Sequence, residues 1–179
     1  MELVDIYNNK HEKLGYTKGR KELNDGEFRL SCFVWIINSN NELLVQQRLA
    51  TAKKCPNMWE TASGGAVEGD TPLSGAIREV EEELGIKINE ENIRFIGSYA
   101  RVNDFVEVFL LKDEIDVKKL KVDKEEVQDV KWMSINEFDE LIEKGIACDT
   151  GYTVFKNYFE NFYGKKLEFI DGKPVFVKA

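Results

Sequence analysis

A chain of 179 residues has the length of one ordinary domain, or of a domain with a modest extension. Its 42% hydrophobic share suffices for a sizeable core, and its 32% charged residues for a solvated surface. The net charge of −8 argues against nucleic acid as the main partner, because a phosphate backbone calls for a basic footprint, yet it admits a small anion held through a divalent cation.

The opening Met1-Glu2-Leu3-Val4-Asp5 lacks the basic stretch and apolar run of a secretory signal. No window approaches the roughly 18 uninterrupted apolar residues of a membrane span. The three cysteines, Cys32, Cys55 and Cys148, share no C-x-x-C spacing. They read as reduced thiols of a cytoplasmic protein rather than as a disulfide or zinc framework.

In chain order, Leu3 to Tyr7 and Leu14 to Lys18 suit a small hairpin across Asn8-Asn9. Residues 28–37 (FRLSCFVWII) are dense in aromatic and branched side chains and predict a strand, with a returning strand over 42–48 after the Asn38–Asn41 turn cluster. A loop carrying Lys53, Lys54 and Pro56 leads to a short strand at 58–61, followed by a glycine loop at Ser63-Gly64-Gly65. Thr71 as N-cap, Pro72 at the first helical position and Gly85 as the stop frame a helix whose Leu73, Ala76, Ile77, Val80 and Leu84 recur at helical spacing. Strands are expected at 93–100, 105–111 and 127–133. A capping box at Ser134 and Glu137 opens a second helix, and a third is expected near 153–162. Asp171-Gly172 suits the turn of a closing hairpin. The pattern describes an α/β sandwich with a mixed sheet between helices.

The informative stretch is 64–86, GGAVEGDTPLSGAIREVEEELGI. On the first helix Glu79, Glu82 and Glu83 project from one side, opposite the apolar stripe. Like charges at that spacing repel, and a divalent cation would turn the repulsion into coordination by hard oxygens. A solvated acidic face is the plain alternative, and the helix alone does not decide between them. The preceding glycines let backbone approach a ligand. They are not a phosphate loop of the GxxxxGK[ST] kind, because no Lys-Ser/Thr pair follows.

This segment resembles the Nudix box, G-x5-E-x7-R-E-U-x-E-E-x-G-U, with U aliphatic. Gly64, Arg78, Glu79, Glu82, Glu83 and Gly85 occupy its fixed positions, and Asp70 replaces the first glutamate. Six such identities arise by chance about once in 10⁷ starts. A second alignment takes Gly65 as the box glycine. The resemblance implies a single Nudix domain over 1–179, with an α/β/α sandwich fold. Its parts are an N-terminal extension (1–27), a core (28–146) and a C-terminal helix and hairpin (147–179). It implies hydrolysis of a diphosphate linkage in a nucleoside diphosphate derivative or related small molecule, with Mg2+ or Mn2+ as cofactor. Glu79, Glu82 and Glu83 would bind the metal, with a carbonyl from Ser63 or Gly64, and Arg78 would orient the acids. Asp70, one methylene short, implies a reduced reach toward the helix.

For the base that such hydrolysis calls for, Glu126 is the first candidate and Glu107 the second. Arg48, Arg29 and Glu107 are assigned to the substrate side, with Lys53 and Lys54 as cations more often merely solvated. His11 reads as a surface residue, and Trp35, Trp59 and Trp132 as core. The 2–15 and 28–36 segments also resemble the subgroup that includes type I isopentenyl-diphosphate isomerase. That enzyme needs a cysteine at the start of the box and histidine ligands; residues 59–70 hold no cysteine, and His11 is the one histidine. A non-catalytic nucleotide sensor is the third reading. The partner class is a small diphosphate molecule, with no nucleic acid and no membrane, and a homodimer is left open.

Overall fold

The computed structural model describes residues 2–170 and 173–178. Leu3–Tyr7 (β1) and Lys13–Gly19 (β2) form the first hairpin. Asn8 closes its turn by accepting the Lys10 and Glu12 amides on Oδ1, the local bonding that makes asparagine a turn former. Then come strands Arg29–Ile37 (β3), Leu43–Arg48 (β4), Trp59–Glu60 (β5) and Ala62–Gly65 (β6), and helix Pro72–Leu84 (α1). Strands Ile93–Ala100 (β7), Asp104–Lys112 (β8) and Val127–Met133 (β9) precede helices Ile135–Glu143 (α2) and Tyr152–Asn161 (α3). Lys165–Ile170 (β10) and Lys173–Lys178 (β11) pair as a closing hairpin; its Asp171-Gly172 turn lies outside the described residues.

β3 is buried from Leu30 onward. A strand apolar on both faces has to be covered on both, and the sheet around it is mixed. β3 runs parallel to β8 over its full length, and the remaining pairs of this sheet are antiparallel, in the order β5-β4-β3-β8-β7, with β6 added to β3 and β9 to β4. Leu30, Cys32, Val34 and Ile36 pack under α1 with Ala76, Val80 and Leu84. Phe33, Trp35 and Ile37 face the other way, onto Phe138 of α2 and Tyr152 and Phe155 of α3. The result is the α/β/α sandwich expected from the alternation of apolar residues.

The structure departs from the sequence reading in three places. Ser63-Gly64-Gly65 is strand rather than loop, paired with Phe33, Cys32 and Ser31. β4 pairs with β3 only at Ile36 and Ile37, so the first half of β3 offers unpaired backbone groups that the glycine segment satisfies. Cys55 and Cys148 form a disulfide across 93 residues, with Cα atoms 6.6 Å apart. Local cysteine spacing carries no trace of a pairing that tertiary folding creates, and with it the thiol argument for a cytoplasmic location falls away. His11 is less isolated than a surface position suggests. Its ring stacks on Phe105 at 4.1 Å, because the hairpin folds back onto β8.

Candidate active site

α1 is fixed at both ends by its own sequence. The Thr71 hydroxyl accepts the Ser74 amide, Ser74 returns the bond to the Thr71 amide, and Gly85 closes the helix in the left-handed region at φ 68°. Its apolar stripe against β3 sets the rotation, so Glu79, Glu82 and Glu83 turn toward β6. Their surroundings are graded. The Glu82 side chain is 59% exposed, that of Glu79 is 13% exposed, and Glu83 is buried.

Arg78 holds the group together. Nη1 donates to Glu79 and to Glu82, each at 2.9 Å, while Nη2 donates to Asp70 and to the Gly65 carbonyl, each at 3.0 Å. The aspartate therefore spans the gap despite its shorter side chain. Burial opposes its charge, but the Val67 amide, Arg78 and Ser74 outweigh that and lower its pKa. Glu83 accepts the Gln46 amide at 2.9 Å and the Ser63 N–H at 3.0 Å. Burial raises the pKa of Glu79, and raises that of Glu83 well above the usual carboxylate range. A carboxylate whose charge is costly in its surroundings gains most from a cation at coordinating distance.

The donor chemistry of these residues suits a divalent metal. The Glu79 and Glu83 carboxylates lie against the β6 backbone, and Gly64 leaves room there, since a Cβ would collide with the Glu79 carboxylate. Among the described residues, no three acidic, His or Cys side chains already converge on an ion-sized point; the Arg78 cation sits between Glu79 and Glu82 instead.

A cleft of about 720 Å³ opens over this face and brings together most of the residues picked from the sequence. Glu79, Glu82, Arg78, Ser63 and Gly64 line it with Arg29, Arg48, Lys53, Lys54 and Glu126. Arg48 is anchored, with Nη1 2.6 Å from Glu60 and Nε donating to the Lys54 carbonyl, which ties the lysine loop to the cleft wall. Glu126 is exposed on the rim. Trp59 is buried under Lys131, whose Nζ lies 4.3 Å from the ring centroid, and it does not line the cleft.

Glu107 is not part of this cleft. It is buried on the α1 side of β8 and borders a separate apolar hollow with Leu73, Phe95 and Phe109. His11 Nε2 stands 3.1 Å from Glu107 Oε1 without hydrogen-bonding alignment. Burial pushes the Glu107 pKa up to about 6. The native state thus holds this proton more tightly than the unfolded chain, so the stability it contributes is present below pH 4.5 and is lost as pH rises through 6. Glu107→Gln is expected to stabilise the protein at pH 8 by about 1 kcal/mol, after allowance for solvent screening, and to gain nothing at pH 4.5. Urea denaturation at both pH values measures this, and equal stability of the two proteins at pH 8 would refute it.

Sequence reasoning missed Gln46 and Glu60, a buried pair opposite each other on β4 and β5. Gln46 directly follows the buried run Leu43-Leu44-Val45 and Glu60 follows buried Trp59, which is the signal that points to them. It also missed Arg20, Lys21 and Asn103 in the cleft, which the fold gathers from distant segments.

Comparison with known proteins identifies the family. The NUDIX domain family matches residues 27–149. An uncharacterised Nudix hydrolase of Listeria monocytogenes is 35% identical over 147 residues, covering 81% of this chain and 87% of the relative. The crystal structure of DR0079 from Deinococcus radiodurans shares the fold, with a TM-score of 0.72 at 20% identity over 88% of this chain and 99% of that one. A bifunctional NMN adenylyltransferase/ADP-ribose pyrophosphatase from Francisella tularensis, complexed with AMP and a manganese ion, superposes with a TM-score of 0.59 at 18% identity over 74% of this chain and 41% of that one. No helix among the described residues is long and apolar enough to cross a membrane. With Arg78, Glu79 and Glu82 of α1 on one cleft and the family match spanning the core, this chain belongs to the Nudix family and is a Nudix hydrolase.

Proposed function

We propose that the protein is a magnesium-dependent hydrolase that cleaves the diphosphate linkage of a nucleoside diphosphate derivative, with manganese able to replace magnesium. The observation that carries this reading is the sharing of one cleft by Glu79 and Glu82, with Glu83 buried beside them, and the cations Arg29, Arg48, Lys53 and Lys54. Glu79, Glu82 and Glu83 would hold the cation together with a Ser63 or Gly64 carbonyl. When bound, it supplies charge neutralisation on phosphoryl oxygens and a water of lowered pKa.

The chain's own groups do the rest. Arg48, held by Glu60, presents a fixed fork to a phosphoryl oxygen. Arg29, held by Ser31, is a second such cation in the same cleft. Glu126, exposed on the rim, would accept the proton of the attacking water. Arg78 keeps Glu79 and Glu82 oriented through its fixed contacts to Asp70 and Gly65. The isomerase alternative loses further ground here. Among the described residues no cysteine lines the cleft, and Cys32, fully buried beneath α1, has its pKa pushed by burial up to about 12, far from a reactive thiolate.

A panel of diphosphate compounds incubated with millimolar magnesium should release phosphate or a nucleoside monophosphate, and excess chelator should abolish the release. Full turnover in chelator, or conversion of isopentenyl to dimethylallyl diphosphate in its place, would overturn the assignment.

A further inference from the structure

Gly64 and Gly65 are consecutive in β6, so their missing side chains face opposite sides of the strand. Gly64 lies against the Glu79 carboxylate; Gly65 lies against two guanidiniums, those of Arg20 and Arg29. One dipeptide thus separates the acidic face of the cleft from a second, basic one. Arg29 is rigid there. Its side chain is 13% exposed, Nη1 donates to Ser31 Oγ at 3.1 Å, and Nη2 lies 3.5 Å from Asp104.

Arg20 arrives from the N-terminal hairpin, which is docked on the loop before α1. The Gly69 amide donates to Asp5 at 2.9 Å, and the Glu68 amide to the Leu3 carbonyl at 2.9 Å. Its ion pair is with Glu2 at 3.1 Å, both side chains being at least 40% exposed; such a pair contributes little and exchanges readily for a stronger anion. Lys21, next in the turn, lines the same cleft and has no ion-pair partner among the described residues. Seven of the fifteen residues lining the cleft are Arg or Lys, in a chain of net charge −8. Two guanidiniums against one glycine repel, and a doubly charged anion between them relieves that repulsion through forked, charge-assisted hydrogen bonds.

We propose that Arg20, Lys21 and Arg29 form a second anion subsite across β6 from the glutamates, one that selects substrates whose phosphate chain ends in a free, dianionic phosphoryl group over diphosphates esterified at both ends. This rests on the hydrolase reading for its consequence in turnover, but not for binding. The N-terminal hairpin thereby becomes a specificity element.

The test separates the two. In chelator, without magnesium, calorimetry of the intact protein should show inorganic triphosphate and a nucleoside triphosphate binding at least about tenfold more tightly than ADP-ribose. Arg20→Ala/Lys21→Ala should erase that preference by weakening the first two about tenfold or more while changing ADP-ribose less than about twofold. With magnesium, the same variant should lose kcat/KM for the nucleoside triphosphate mainly through KM. Equal affinities of the parent for all three compounds would overturn the subsite, and so would equal losses in the variant; the first outcome needs no variant to fold. Discrimination in binding with no hydrolysis of any compound would leave the subsite standing and reject the hydrolase reading.

Discussion

Glu83→Gln is expected to lower turnover on the order of 10³-fold while leaving the melting temperature of the metal-free protein unchanged or raised. The two signs follow from one environment. Glu83 is buried, with two donors on one carboxylate oxygen and its pKa driven up by desolvation. Glutamine keeps the shape and can still accept from Gln46 and Ser63, yet carries no charge to desolvate, so the fold loses nothing. As a metal ligand it is poor, because it offers a neutral oxygen where a hard carboxylate is wanted. A 10³-fold loss corresponds to about 4 kcal/mol of transition-state stabilisation, which a merely structural residue would not give up without unfolding. Steady-state turnover in magnesium, paired with thermal denaturation in chelator, measures both. A variant that keeps full activity, or whose activity falls only in step with its folded fraction, would remove Glu83 from the metal site.

The second large effect is expected at Arg78, and there stability and metal response should move together. Its guanidinium contacts Asp70, Glu79, Glu82 and the Gly65 carbonyl. Arg78→Gln leaves three neighbouring carboxylates without their shared cation, two of them with side chains only 13% exposed. Removing one partner of a buried pair costs about 3–5 kcal/mol; with Arg78 26% exposed, about 2–3 kcal/mol is the discounted expectation. In a protein of this size that lowers the melting temperature by roughly 4–12 °C. Magnesium should restore part of the loss, because a cation that binds only the folded state stabilises it by mass action, and the variant has more repulsion to relieve than the parent. Scanning calorimetry of both proteins, with chelator and with millimolar magnesium, is the measurement. A magnesium-induced shift no larger in the variant than in the parent would show that Arg78 and the metal do not share the same acids.

Local features were legible because their physics is local. Thr71, Pro72 and Gly85 bound α1 where the sequence placed them; Ser134 and Glu137 close their capping box; and strands β7 and β9 begin and end where expected. The glutamate face of α1 followed from helical periodicity, and its pairing with Arg78 from the box. Glu107 was misplaced because alternation along a strand tells which residues share a face, not which face carries the cleft. It shares its side of β8 with Phe105 and Phe109, under α1.

What the sequence by itself determined is the class of the protein and the acidic half of its candidate site, since both reside in a short stretch whose spacing, caps and apolar stripe are read within one helix. The basic half was decided only by the tertiary structure. Arg20, Lys21, Arg29 and Arg48 come from the first hairpin, β3 and β4 and are far apart along the chain. They meet because β6 completes the free half-edge of β3 and the hairpin docks on the loop that follows it. Long-range strand pairing and the burial that drives it have no signature in local spacing. The same reason hid the Cys55–Cys148 pair, which closes only once the segment after α2 lies beside the lysine loop.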